Sequence, residues 1–429
     1  MFSCVRSRSL LAVFLILCLT VLPGCQAQKS LSDGVVRLTL WQGVNPPSNR
    51  VVLQKLVDQF NQEHPKIQVE SLYVGQGDQQ LPKILAAIVG NAAPDILWFA
   101  PMLTGQLVEL DALRPLDDWL AKLPARSQID PALFSSMEYD GHLWSVPFGT
   151  NNVGIYYRPK LFEAAGIQQL PRTWDELRQV SRQLTIDLDR DGRADQHGML
   201  LPLGKGEWTV FTWLPFLWSG GGELGQSGQV QVDSPGAIAA LQLWQNLVQD
   251  GSAILSAPER GYELDGFLAG KVAMQISGPW TLGQLQATGV DFGVLPIPAG
   301  VKRATATGGE NLFLFKSSPE REQAALTFLE FALSQSFQAA WAVATGYLPV
   351  NLESRRSPEY LAFKSKQPAV GVFLDQAQYG RSRPVFPGYN RISENLGRAI
   401  EAALLQQSAP AAALQAAQKR LNLIFNPDA

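Results

Sequence analysis

Apolar positions change period repeatedly along this chain. Val35 to Trp41 (VVRLTLW) is rich in β-branched and apolar residues and predicts a strand. Val51 to His64 places Leu53, Leu56, Val57 and Phe60 at helical spacing, and His64-Pro65 stops that helix. Ile67 to Tyr73 reads as a second strand, Leu81 to Val89 as a second helix, and Pro94-Asp95-Ile96-Leu97-Trp98 opens a buried strand. Later helix starts carry explicit signals. Thr173-Trp174-Asp175-Glu176 is a capping box opening a helix to Leu184. Ser234-Pro235 and Ser318-Pro319 each set a capping serine before a proline in the first turn, and the tail from Ile392 to Phe425 reads as helical. Strands alternating with helices predict an α/β fold, and the alternation continues too long for a single core, which implies two lobes. No internal repeat of solenoid or propeller length recurs.

The first residues follow another rule. Arg6 and Arg8 precede an apolar run from Leu10 to Leu22, broken only by Thr20. Thirteen residues are too few for a resident membrane span but suit an export signal over 1–24. Leu22-Pro23-Gly24-Cys25 resembles the bacterial lipobox, which implies cleavage and lipidation at Cys25, with 25–34 as a polar tether. The alternative is an ordinary signal with a chance cysteine. The other cysteines, Cys4 and Cys18, lie in the leader, so the folded part has no disulfide framework and no cysteine-based metal site or nucleophile. Across 429 residues the formal net charge is −3, and losing Arg6 and Arg8 makes it −5. That balance gives no support to nucleic-acid binding or to a polybasic membrane surface.

Taken in order, several further segments form a recognisable series. They are Leu56-Val57-Asp58-Gln59-Phe60-Asn61, Ala93-Pro94-Asp95-Ile96, Leu143-Trp144-Ser145-Val146-Pro147-Phe148 and Gly154-Ile155-Tyr156-Tyr157-Arg158. Gly220-Gly221-Gly222, Ser277-Gly278-Pro279-Trp280, Gly308-Gly309 and Gly346-Tyr347-Leu348-Pro349-Val350 follow. Each is weak alone, but in this order and spacing they resemble the extracellular solute-binding proteins of sugar-type ABC importers. The likeness runs from Leu38 to Phe425, and 41–121 is most similar to the glycerol-3-phosphate and disaccharide binders. The resemblance implies the periplasmic-binding-protein fold, two α/β lobes joined by crossing strands with the ligand between them. It places crossings near 148–153, 307–312 and 347–351, with 35–150 plus 310–346 as one lobe and 151–309 plus 347–429 as the other. It also implies a monomer that captures a carbohydrate, or alternatively a glycerol phosphate, and delivers it to an ABC permease and its ATPase.

A sugar offers hydroxyls at its rim and C–H groups on its face, so its cleft needs flat aromatic platforms and a few polar groups. Trp41 closes a strand before a loop, Trp280 sits in the same situation, and Trp208 begins a tryptophan-rich segment. For any single tryptophan the competing role is core packing, and Trp174, Trp244 and Trp341 are assigned to the core. Polar candidates are Asp95 at a strand start, Gln76 in a short polar loop, and Thr150 and Asn151 on the first crossing. Gly309 and Glu310 lie on the second crossing and Tyr347 on the third. Asp95 could equally fix a loop. Arg383, with Arg381 as the near alternative, resembles the family's ligand-contacting arginine. It keeps a phosphorylated ligand in view because a guanidinium can grip phosphate with two bonds.

Asp187, Asp189, Asp191, Arg193 through its carbonyl, and Asp195 match an EF-hand loop at several positions, and Gly192 supplies the turn. Gly198 stands where a bidentate glutamate belongs, so the alternatives are a structural Ca²⁺ site and a solvated acidic turn. No other cofactor is called for. Nucleotide-binding and zinc-protease motifs are absent, and Gly225-Gln226-Ser227-Gly228-Gln229 fails the serine-hydrolase elbow at its last position. The expectation is an exported, membrane-tethered binding protein rather than an enzyme, with an exported glycoside hydrolase as the lesser alternative, since the chain has carboxylates enough for one.

Overall fold

The computed structural model describes residues 34–226, 229–385 and 388–425. Cys25 and the leader lie outside them. In the first lobe a five-stranded sheet runs in the order Ile67–Tyr73, Val36–Gln42, Ile96–Phe99, Asn311–Leu314, Ser145–Pro147. The first three strands are parallel, because helices Pro47–Glu63 and Gly77–Val89 return the chain between them. Asn311–Leu314 enters antiparallel from a distant part of the chain. Leu53, Val57 and Phe60 pack with Phe328, Phe337 and Trp341 from helices Pro319–Leu333 and Gln335–Thr345.

The second lobe repeats the plan. Its sheet runs Ala253–Leu255, His197–Leu201, Val272–Ser277, Gly154–Tyr157, Gly293–Leu295. Helices Glu207–Ser219, Pro235–Gln249, Tyr389–Leu404 and Pro410–Phe425 pack on one another and share its core. Helices Leu282–Thr288, Pro358–Lys366 and Pro368–Gln376 contribute to the core on the other side.

The capping signals form as their chemistry requires. Thr173 Oγ1 accepts from Glu176 N–H at 3.2 Å while the Glu176 carboxylate accepts from Thr173 N–H at 3.2 Å. Ser234 and Ser318 accept from Ala237 and Arg321 N–H. Differences from the sequence pattern have simple causes. The first helix starts at Pro47, four residues before the apolar periodicity begins, because Pro47 suits a first turn and the one buried residue of 48–50, Asn49, is polar and so leaves no apolar mark. The tail forms two helices, broken where Gln406 takes a left-handed φ of 57° ahead of Pro410. Helix Glu207–Ser219 has no apolar stripe because all of residues 209–219 are buried, so its faces cannot be told apart by period.

Candidate ligand-binding cleft

The chain passes between the lobes through a third, small sheet. Asn151–Asn152 pairs antiparallel with Thr305–Gly308, which pairs parallel with Gly380–Ser382. Thr150 and Leu348 exchange backbone hydrogen bonds at 3.2 and 2.9 Å, adding the segment after Gly346 to the junction. Gly309 is fixed by geometry. Its φ is +121°, and a Cβ there would lie 2.1 Å from the Gly149 carbonyl, so two crossing backbones meet where no side chain fits. The lobes approach closely here: Asn49 of the first lobe donates its amide to the Trp280 carbonyl of the second at 3.2 Å.

Aromatic rings line the junction. Trp208 stands edge-to-face on Trp280 with centroids 5.9 Å apart, and Trp280 lies 6.3 Å from Tyr347. Tyr262 extends the row beyond Trp208, and Trp341 extends it behind Tyr347. Trp280 packs against the cores of both lobes and remains partly exposed, as does Trp208. Trp41 is also half-buried at the end of its strand and packs on the same core, but among the described residues it shares no ring contact with that row. Trp174, Trp244 and Trp341 pack in or against the cores, the last two fully buried.

Polar groups divide into those already partnered and those left open. Asp95 belongs to the first set. Both carboxylate oxygens take the Arg321 guanidinium, at 2.8 and 2.7 Å, and Oδ2 also accepts from Thr39 N–H at 2.8 Å and its hydroxyl at 3.2 Å. Asp95 so ties helix Pro319–Leu333 to the strand it packs on, which is the structural one of its two candidate roles. Thr150 directs its hydroxyl to the Gly308 carbonyl at 3.2 Å and staples two crossings. Gln76 precedes helix Gly77–Val89 and offers its carbonyl to Gln79 and Gln80 N–H, while its side chain stays partly exposed and makes no capping bond.

Asn151 Oδ1 and Glu310 Oε2 are buried and lack a protein partner. Burial pushes the Glu310 carboxyl up to about 7, against the opposing pull of nearby Arg383. Tyr347 is raised well above its ordinary value by burial and by Glu310 beside it. Arg383, with Thr150, Thr307, Gly308 and Gly309, lines the crevice at the junction. Arg381 instead pairs with Glu223, 2.7 Å along one arm of the fork, and stacks on Trp218.

Arg383 has its own partner, which the sequence pattern did not reveal. Its Nη1 donates to Glu207 Oε1 at 2.7 Å, and its guanidinium lies 4.5 Å over the Phe211 ring. Tyr389 OH donates to the same Glu207 oxygen at 3.0 Å, and Ser393 donates to the other. Burial opposes the Arg383 charge, but Glu207 and Tyr389 outweigh it and raise its pKa. Glu207 could have been found only by recognising that Gly206-Glu207 opens a helix, since an acid in the first turn is favourable there.

The acidic loop gathers Asp187, Asp189 and Asp195, all exposed, with one ligand atom from each within 4.8 Å of the others. Their oxygens accept loop N–H groups, including Arg190 N–H to Asp187 at 2.7 Å and Leu188 N–H to Asp195 at 2.7 Å. Asp191 turns away and accepts from Arg193 N–H at 2.8 Å. Hard carboxylate oxygens at this spacing fit a calcium ion, and they equally close the turn by themselves.

Residues 55–368 match the family described as bacterial extracellular solute-binding protein, well over half of the chain. The chain belongs to that family. It is similar to the maltotriose-binding protein of Pyrococcus abyssi, 23% identical over 377 residues, covering 86% of this chain and 77% of the relative. It is also similar to the sn-glycerol-3-phosphate-binding periplasmic protein of Shigella flexneri, 23% identical over 359 residues, 80% of this chain and 81% of the relative. Maltose-bound MalE3 of T. maritima superposes with a TM-score of 0.79 at 25% identity, covering 91% of this chain and all of that one. The GacH receptor of Streptomyces glaucescens, solved unliganded and with acarbose, gives 0.80 at 24%, covering 92% and 99%. These likenesses agree with the two-lobed α/β architecture. Among the described residues no helix is long and apolar enough to cross a membrane.

Proposed function

We propose that this protein captures an uncharged carbohydrate between its lobes and presents it to the permease of an ABC importer. One observation carries the reading: the Trp208–Trp280–Tyr347 row lies at the lobe junction, near Glu310 Oε2 and Asn151 Oδ1, buried polar atoms without protein partners. Flat rings suit the C–H face of a sugar, and buried unpartnered oxygens are costly until a ligand hydroxyl meets them. Trp280, the middle of the row, packs against the cores of both lobes, so a ligand on it favours the closed arrangement and shifts the population toward it. The maltotriose and maltose named for two relatives support this class of ligand. Glycerol phosphate is the less favoured alternative, because the guanidinium that would hold it is engaged by Glu207.

The finer parts of the reading rest on sequence. The protein works as a non-catalytic monomer, tethered outside the cell through lipidated Cys25, and transport energy comes from partner subunits. Cys25→Ala should leave an uncleaved or mislocalised precursor, and normal processing of that variant would remove the tether. A structural calcium ion on the Asp187–Asp195 loop belongs to the same proposal. A thermal-shift screen over maltotriose, other uncharged oligosaccharides and sn-glycerol 3-phosphate tests the ligand class. At 100 times its Kd a ligand adds about 2.7 kcal/mol of stability. A stabilising uncharged sugar is expected, and stabilisation by glycerol phosphate alone would contradict the carbohydrate reading.

A further inference from the structure

Arg383 is the one cationic side chain among the described residues that line the crevice at the junction, so it is where an anionic ligand would be held. Its surroundings work against that use. Glu207 takes Nη1 at 2.7 Å, and Phe211 covers the guanidinium face at 4.5 Å. Glu207 is itself anchored: Tyr389 donates to one oxygen and Ser393 to the other, so it does not swing away without breaking three hydrogen bonds. The second carboxyl near Arg383 is that of Glu310, whose Oε2 is buried and unpartnered. Two carboxyl groups therefore attend one guanidinium.

We infer that Glu207, seconded by Glu310, is a specificity determinant that makes the cleft refuse organic phosphates and select uncharged polyhydroxyl ligands. The inference rests on the carbohydrate reading above and adds the device that enforces it. A phosphate on the remaining N–H groups of Arg383 would lie beside the fixed Glu207 charge where water is scarce and repulsion is poorly screened. It would also force Glu310 to stay protonated, whereas a sugar hydroxyl can donate to Glu310 or accept from it. Rejection by an unfavourable charge needs no contact with the favoured ligand, and specificity is a difference between two affinities. Glu207→Gln keeps the shape and the acceptor oxygen while removing the charge, which frees Arg383 for an anion.

The test is calorimetric titration of sn-glycerol 3-phosphate into the full chain and into Glu207→Gln at low salt. The variant is expected to gain at least about tenfold in affinity over wild type, equivalent to about 1.4 kcal/mol. The gained binding should weaken with salt. Glu310→Gln should move affinity the same way by less. If Glu207→Gln fails to fold by circular dichroism, Ser393→Ala, which removes one anchor and no charge, should give a smaller gain of the same sign. No gain in any folded variant overturns the inference and leaves the carbohydrate reading standing. Failure of that reading shows separately, as an absence of stabilisation by every uncharged sugar in the thermal screen.

Discussion

Two arginine–carboxylate pairs occupy opposite situations in this protein. Asp95 and Arg321 meet through both arms of the fork, and Thr39 saturates what remains of the carboxylate. Arg383 and Glu207 meet through one arm, with Glu310 near them and one of its oxygens unpartnered. The first pair is complete and holds a helix to a sheet. The second is complete only for the charge, and leaves polar capacity beside an aromatic row. Saturation marks structure, and unsatisfied polarity at a junction marks recognition.

The comparison breaks most visibly at Asp95. Asp95→Ala removes four hydrogen bonds and leaves the Arg321 guanidinium and the half-buried Thr39 N–H without their acceptor, and should lower unfolding stability by about 2–3 kcal/mol, read as a shift in the urea midpoint. Ligand titration should be unchanged, and a large affinity loss in the folded variant would return Asp95 to the binding site. Trp280→Ala should do the converse. Loss of a buried binding aromatic commonly costs about 2 kcal/mol, near 30-fold in affinity. A folded Trp280→Ala that titrates like wild type would assign this ring to packing.

Glu310 sharpens the contrast through pH. Its carboxyl sits at about 7 in the fold against an ordinary 4.5, so between those values the native state holds a proton that the unfolded chain has released. Its contribution is fully present below about 4.5, is lost as pH rises toward 7, and is flat above. Arg383, Tyr347 and, through Arg383, Glu207 are the charged or titratable groups around it. Glu310→Gln should remove that part of the slope, seen as a smaller difference in unfolding midpoint between pH 5 and pH 8 than in wild type. An identical difference in both proteins would mean the carboxyl titrates normally. The smallest effect is expected at the acidic loop. With a Kd near 1 mM, 1 mM CaCl₂ should add about 0.4 kcal/mol, and Asp187→Asn with Asp189→Asn should abolish the gain. No calcium-dependent change in wild type would leave the loop a self-closed turn.

Periodicity and caps made the strands, the capped helices and the two-lobe alternation legible, because each depends on residues close in sequence. Trp208 was legible as a candidate because it begins a tryptophan-rich segment, and Trp280 and Tyr347 because the family resemblance sets them at the lobe junction, against the core packing that competes for any single aromatic. What stayed hidden depends on long-range pairing. Nothing local distinguishes Asp95, tied to Arg321 across 226 positions, from a ligand-facing acid. Nothing local marks Glu207 as the partner of Arg383 across 176. Helix Glu207–Ser219 was hidden for another reason, since burial on every side erases the apolar stripe that announces a helix.

One ligand is expected to bridge both lobes at the aromatic row. Hydrogen–deuterium exchange, with and without a saturating uncharged sugar from the thermal screen, reads this directly. Protection is expected in all three crossing segments, 148–153, 305–311 and 346–351, together with 206–213 and 279–283. Protection confined to one lobe, or lying outside these segments while the sugar is plainly bound, would contradict it.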